Sequence, residues 1–509
     1  MLSNEEDTFN QNQLKTKKRI KILLLILIPL LAIILIIILA VKLTRKKHED
    51  DTKSEIPERL VEYNLSTFFF FDPISNAPCT EKNYWTPFDN TTSCYRWVSI
   101  TNPDSNASAT IKLMLDHNIA TSSFNDYKNV LKDKTSDWSR YKDTIDLIDE
   151  ETIFNLMKYD NKPDKTNKAT PSVIINPFSA QSYYTYDGKA INEKGYWTKS
   201  SFDEESAYAI DINGVNEVVS KTSIYGIRPT INIHKNLLNV DSGMININNI
   251  IEKCDIIHYD VENQLYDGFK YDLLQVCTVS KDKIFFMSCN NNNPEKGVMY
   301  SYKLNDINNI YKKDYSNTGH GNGMTYNTKT GKVLTLGYHG VCEYNEDSLL
   351  REKDYDRPNF PGYSAIGYDY NTDLYIGRAN HRIFFADTTN MKKIYEYGIS
   401  MFEAEQDLEY YNGYIFDCAS DFGLPNPHHK YSFYPGYELI YVYDAKFDEN
   451  KKPTKNFGRL IARFIMQGFG ELESISFRNG NVYFGLGKKG YNFYYMNYNK
   501  FIELTGLSL

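Results

Sequence analysis

The chain has 509 residues, a formal net charge of −8 at pH 7 and a pI near 5.7. Apart from two basic clusters near the N-terminus there is no basic stripe, which excludes a surface built to neutralise nucleic-acid phosphates. The 42 Tyr and 28 Phe, with frequent Asn-Gly and Asp/Asn turns, read as β-rich, and the length exceeds one core, so two domains are expected.

Residues 22–41 form a run of 20 apolar residues. Lys15, Lys17, Lys18, Arg19 and Lys21 precede it, and Lys42, Arg45, Lys46 and Lys47 follow. A helix of that length spans a hydrocarbon core of roughly 30 Å. The run is longer than the apolar core of a cleaved signal peptide, roughly 7–15 residues, and no Ala-x-Ala step follows it. It reads as an uncleaved signal-anchor, with a cleaved signal as the alternative. The expectation is a single-pass membrane protein with a cytoplasmic tail (1–21), a membrane helix (22–41) and a charged stalk (42–58), the bulk lying outside the cell. The flanking charges are nearly balanced, so they favour the inward N-terminus only slightly.

A mixed α+β module is expected over 59–240. Residues 94–100 and 109–115 read as strands, the second alternating apolar and polar. Helices are predicted around 124–132 and 150–158. Asn213-Gly214 between apolar runs marks a hairpin with a type I′ turn. Cys79 and Cys94 bracket a turn-rich loop that a disulfide would restrain by roughly 3 kcal/mol. The remaining five of the seven cysteines sit mostly in apolar strand-like runs and read as buried thiols. Asp116, His117 and Asn118 read as a turn with side-chain-to-backbone bonds, a ligand contact being the alternative.

Three phrases in this module carry a resemblance: Leu115–Asn118, Trp197-Thr198-Lys199-Ser200, and the Gly-Ile-Arg-Pro-Thr-Ile-Asn-Ile run at 226–233. They resemble an uncharacterised domain family of bacterial surface proteins, related to the C-type-lectin-like fold that formylglycine-generating enzymes use. The resemblance covers roughly residues 60–240 and implies a fold but no defined activity. The copper-binding cysteine pair of those enzymes has no counterpart here.

From 253 to 509 the pattern is uniformly β. Five phrases of strand, tight turn and strand begin at Gln275, Asn322, Ser364, Gln406 and Glu473. Antiparallel repeats of roughly 40–65 residues fit propeller blades, and five blades are expected, with the longest insertion between the fourth and fifth. The segment from Gly319, with His320, Asn322, Met324, Tyr326 and Asn327, resembles helveticin-type bacteriocin and phage-tail propeller proteins.

The phrases place one polar residue before each innermost strand. Gln275, Asn322, Ser364, Gln406 and Glu473 would ring one mouth of the channel, with His320 and Glu471 two residues further out. That oxygen-rich ring suits a water cluster, a ligand, or a hard cation such as Ca²⁺ with 6–8 oxygen ligands. A glycosidase would need two carboxylates across a sugar. Glu471, Glu473, Asp407 and Glu409 supply candidates from the last two phrases only, and Glu409 faces either outward or a neighbouring blade. Aromatic clusters at Tyr183, Tyr184 and Tyr186 and at Tyr431, Phe433, Tyr434 and Tyr437 are candidate contact surfaces. The leading expectation is a membrane-anchored, extracellular binding protein for a glycan or a partner protein, with no assigned catalytic residue. The alternatives are a tethered, glycosidase-like hydrolase and a structural spacer.

Overall fold

The computed structural model describes residues 68–75, 84–85, 89, 91–100, 110–157, 195–211, 216–234, 244–246, 250–258, 265–266, 269–270, 273–290, 293–304, 306, 312–316, 321–337, 340–356, 365–379, 382–398, 404–420, 437–467, 471–487 and 492–507.

The first part is built from β1 (Phe68–Phe71), β2 (Tyr95–Ser99), β3 (Thr110–Leu115), β4 (Ala120–Ser123), β5 (Gly195–Ser201), β6 (Ser206–Asp211), β7 (Asn216–Ser220), β8 (Ile224–Ile227) and β9 (Thr230–His234). Helices α1 (Tyr127–Lys134) and α2 (Glu150–Met157) interrupt them. One sheet has the order β1-β2-β3-β9 and is antiparallel throughout. The alternation in β3 puts Ile111, Leu113 and Leu115 into a core with Phe69, Trp97 and Trp138. The second sheet runs β4-β8-β5-β6-β7, with β5 and β8 parallel. Its core gathers Trp197, Ala209 and Tyr225 with Tyr127 and Leu131, one helical turn apart on α1. The hairpin expected around Asn213-Gly214 is the antiparallel pair β6–β7.

A buried polar knot forms just after β3. Arg96 Nε lies 2.6 Å from Asp116 Oδ2, and His117 Nδ1 lies 2.5 Å from Asp116 Oδ1. The His117 ring stacks on Trp85 at 3.7 Å. Burial opposes ionisation of Asp116, but Arg96 and His117 outweigh it and hold its carboxyl below the usual range. Asn118 makes the expected side-chain-to-backbone bond, Nδ2 donating to Gly195 O at 3.2 Å. Asp116 and His117 instead pair with side chains and are buried, so this segment is a core node.

Gly226 is required by that node. A Cβ there would lie 2.0 Å from Asn118 Nδ2 and 2.7 Å from Gly195 O. Gly226→Ala is expected to cost roughly 2–4 kcal/mol, through overpacking and a severed buried hydrogen bond. Urea unfolding monitored by tryptophan fluorescence checks this; an unchanged midpoint would refute the close approach.

The second part is a closed five-bladed propeller. Its four-stranded blades 1, 2 and 3 start at the inner strands Leu273–Val279, Gly323–Asn327 and Ala365–Asp369. Blades 4 and 5 start at Ala404–Tyr411 and Glu471–Arg478. Each inner strand packs beside the next, and that of blade 5 returns to blade 1. Asp255–His258, which precedes blade 1, is the outer strand of blade 5, so the segment that leads into the propeller also completes its last blade. Met244–Asn246 adds a parallel strand to the rim of blade 4. Helix α3 (Tyr498–Thr505) follows, its Phe501 buried against Phe416, Phe464 and Phe484.

The inner hairpins are the repeated phrases. Asn412-Gly413 and Asn479-Gly480 have φ of 51°, 86°, 52° and 72°. Two consecutive positive φ values are what a two-residue turn between twisted strands demands, and Asn-Gly meets that demand at least cost. Tyr84 and Asp89 join the two parts: Tyr84 O accepts from Arg459 Nε and Nη2 at 3.2 and 2.8 Å, and Arg459 Nη2 reaches Asp89 Oδ2 at 2.8 Å.

Two expectations need correction. The fold read from sequence was a transmembrane helix, a lectin-like α+β module and a propeller; the described chain is mostly β-sheet. Among the described residues no helix is long and apolar enough to cross a membrane. Helices α1, α2 and α3 have eight residues each, about 12 Å at 1.5 Å per residue, against roughly 30 Å of hydrocarbon. The single-pass anchor, and the extracellular placement that followed from it, are therefore withdrawn. The run at 22–41, the tail and the stalk lie outside the described residues. Cys94 is disulfide-bonded, while Cys254, Cys277, Cys289, Cys342 and Cys418 are thiols outside any disulfide. Cys79, its expected partner, also lies outside the described residues.

Candidate functional site at the propeller mouth

Three of the five inner strands break register where the phrases place their polar residue. The ladder shifts between Leu274 and Val276, between Glu405 and Leu408, and between Leu472 and Ser474. These β-bulges hold Gln275, Gln406 with Asp407, and Glu473. A bulge leaves a residue unpaired and re-aims its side chain, which is how an otherwise apolar strand can deliver a polar group to the channel.

Three expected residues come together. Gln406 Nε2 of blade 4 donates to Glu471 Oε1 of blade 5, and Glu471 hydrogen-bonds Glu473. Gln406 and Glu471 are half-buried, whereas Glu473 is 3% exposed. Gln275 is buried and turns onto its own strand, its amide donating to Leu274 O at 3.2 Å. Asn322 is half-buried at the start of blade 2, its N–H bonded to Leu336 O. His320 and Ser364 lie outside the described residues. So do the aromatic clusters except Tyr437, which opens a blade 4 strand.

Two further acids satisfy donors on the inner-strand edges. Asp407 accepts from Met324 N of blade 2 and Ile366 N of blade 3, both at 3.3 Å. Glu438 Oε2 accepts from Leu472 N at 2.9 Å. Ser474 Oγ takes Cys277 N–H of blade 1 at 3.1 Å. Inner edges would otherwise present buried, unpaired N–H groups, each costing about 1–3 kcal/mol. Behind the mouth Arg378 pairs with Asp417, both fully buried, and donates to Gln406 O.

Burial pushes Glu471 up to about 7 despite the opposing hydrogen bonds from Gln406 and Glu473. Burial, reinforced by Glu471 and Glu438, raises Glu473 well above the carboxylate range. Asp407 is raised by burial although three backbone N–H groups oppose it. Glu409 rises to about 8 by burial, against Arg478. Arg478, whose charge acts on it, stands on the inner strand of blade 5, so Glu409 faces that neighbouring blade. The mouth is thus a set of acids able to both donate and accept hydrogen bonds near neutral pH.

Among the described residues no group of three or more His, Cys, Asp or Glu is placed to hold a metal ion. The calcium reading therefore finds no cage there, since Ca²⁺ takes 6–8 oxygens.

Sequence reasoning missed Glu438, Arg378 and Asp417. The last two carry a readable signal: each is a charge inside an otherwise apolar strand, and such charges are buried only when paired. Gly487 was another. A Cβ there would meet Glu473 Oε1 at 2.4 Å, and a strand glycine often marks such an approach.

No protein-family model matches the chain, and no curated protein does. Among solved structures it is similar to BamB from Moraxella catarrhalis, at 9% identity and a TM-score of 0.23, covering 58% of this chain and 70% of that one. It is similar to the Mitotic Checkpoint Complex at 7% identity and 0.25, covering 44% and 62%. Kuenenia stuttgartiensis Hydrazine Synthase matches at 8% identity and 0.27, over 44% and 59%. At these scores the likenesses carry no argument, and the propeller rests on its closed ring of blades.

Proposed function

We propose that this protein is a binding protein whose propeller mouth takes a hydroxyl-rich ligand, a glycan. The observation that carries this is the chain Gln406–Glu471–Glu473, which crosses from blade 4 to blade 5 with Gln406 and Glu471 half-buried. An amide beside protonatable carboxyls offers donors and acceptors together, matching a sugar's vicinal hydroxyls. A hydrolase fits less well. Glycoside hydrolysis needs one carboxylate held ionised beside a protonated acid. Here Asp407, Glu409, Glu471 and Glu473 are all raised by burial, so none is held in the ordinary carboxylate range beside a raised one.

The test is a glycan array with the purified full-length chain, repeated with Gln406→Ala and Glu471→Ala. A bound glycan is expected, with affinity reduced at least tenfold in either variant, about 1.4 kcal/mol. Unchanged binding in both variants would remove the mouth from the reading. Turnover of a chromogenic glycoside, lost in Glu471→Ala, would replace it with hydrolysis.

A further inference from the structure

A second concave site lies away from the propeller, beside α1. It is a groove of about 810 Å³, within the range of ligand clefts. Its floor is apolar: Tyr127 and Leu131 are 4% and 6% exposed, and Ile145 is half-buried. Its rim is cationic. Lys128, Lys132 and Lys142 line it and are exposed. Lys128 Nζ stands 6.0 Å from the Tyr127 ring centroid.

The charge balance is the telling feature. Two acids also line the groove, but Asp146 is engaged by Lys199 at 3.3 Å, leaving Asp133 as the counterweight. None of the three rim lysines makes an ion pair among the described residues. A cationic rim over an apolar floor therefore stands on a chain of net charge −8. Local charge opposite to the global charge steers an anionic partner to one place, because the rest of the surface repels it.

We infer that this groove docks an acidic peptide segment of a partner protein, with one apolar side chain on Leu131 and Ile145 and flanking carboxylates at Lys128, Lys132 and Lys142. The apolar floor supplies the reason for a peptide over a bare anion: a small anion leaves half-buried Ile145 and the aliphatic stems of the exposed rim lysines in water, and a Glu/Leu segment covers both.

Fluorescence anisotropy with the full-length chain tests it, using a fluorescein-labelled Glu-Glu-Leu-Glu-Glu-Leu-Glu peptide and its counterpart with Lys for Glu. The acidic probe is expected to bind and the basic one not to. Binding should weaken at least tenfold between 50 and 500 mM NaCl, since exposed charges are screened. It should weaken at least tenfold in K128E/K132E/K142E, and in the same direction in the matching alanine set. A control with the same net charge change, K281E/K392E/K452E, alters exposed lysines elsewhere and should bind as the parent does. The inference is overturned if the acidic peptide does not bind, if both triple sets bind alike, or if the basic peptide binds equally well.

Discussion

Arg378→Met is expected to destabilise the propeller by about 3–5 kcal/mol, measured as the shift of the urea unfolding curve. Arg378 and Asp417 are both 0% exposed, one on the second strand of blade 3 and the other on the second strand of blade 4. Taking two ions out of water costs several kcal/mol each, and their attraction offsets this only while both are present. Removing Arg378 alone takes the guanidinium charge away from the buried Asp417 carboxylate, and also removes a donor from Gln406 O at the mouth. The companion change decides the mechanism. Arg378→Met with Asp417→Leu removes both charges and should recover most of the loss, since apolar pairs of similar volume often replace buried ion pairs without cost. Equal losses in the single and double variants would mean that packing, and not charge, is what the pair supplies. The single variant should also weaken binding at the mouth, because the backbone carrying Gln406 loses its brace.

How much of this was legible beforehand depended on the range of each interaction. Turn chemistry is local, so Asn412-Gly413 and Asn479-Gly480 announced their hairpins, and five like phrases announced the ring. Gln406 and Glu473 were visible because the aligned phrases set one polar residue immediately before each innermost strand. Their bulges were not visible, since a bulge is a property of two paired strands. Glu438 escaped because it stands on the third strand of blade 4, outside the repeated phrase, and acts on Leu472, 34 residues away. Arg378 and Asp417 are 39 residues apart, and nothing local names the partner. In the first part, the Asp116–His117–Asn118 segment looked like a turn because its residue types favour turns. Only the arrival of Arg96 from β2 and Trp85 from its loop turned it into a core node. Hydropathy had the opposite weakness. It reads composition over a window, which identified an apolar run at 22–41, whereas the described fold buries its apolar surface between sheets.

Raising the pH from 6 to 8.5 is expected to lower the melting temperature, on the order of 5–10 °C for several kcal/mol. The sign follows from the acids at the mouth. Glu471 and Glu409 have folded-state values of about 7 and about 8, and Glu473 and Asp407 are raised as well, burial being the main cause in each. Unfolded carboxyls titrate near 4. Between those limits the folded chain holds protons the unfolded chain has lost, so these groups contribute stability that is complete below about pH 4. That contribution is lost as pH rises through 7 and 8. Each tenfold difference in proton affinity between the folded and unfolded chain is worth about 1.4 kcal/mol, and the fully buried Glu409 and Glu473 need no discount for solvent. His117 acts the other way. Burial lowers its folded value, so its contribution is present above about 6.5 and lost as pH falls below that. Asp116 and Asp149, lowered by Arg96 and by Thr152 and Lys112 against burial, lose theirs below about 4 as pH falls through their folded values. Four raised acids outweigh one histidine, so stability should already fall from about pH 4 upward, and its maximum should sit near pH 4 rather than at neutrality. Glu409→Gln isolates the cause. It keeps an oxygen to accept from Tyr410 N but cannot ionise, so the slope between pH 6 and 8 should flatten. A flat profile in the parent, or an unchanged slope in Glu409→Gln, would show that these carboxyls are already ionised in the folded chain. The mouth would then be an anionic site, and a cationic ligand would take the place of the glycan.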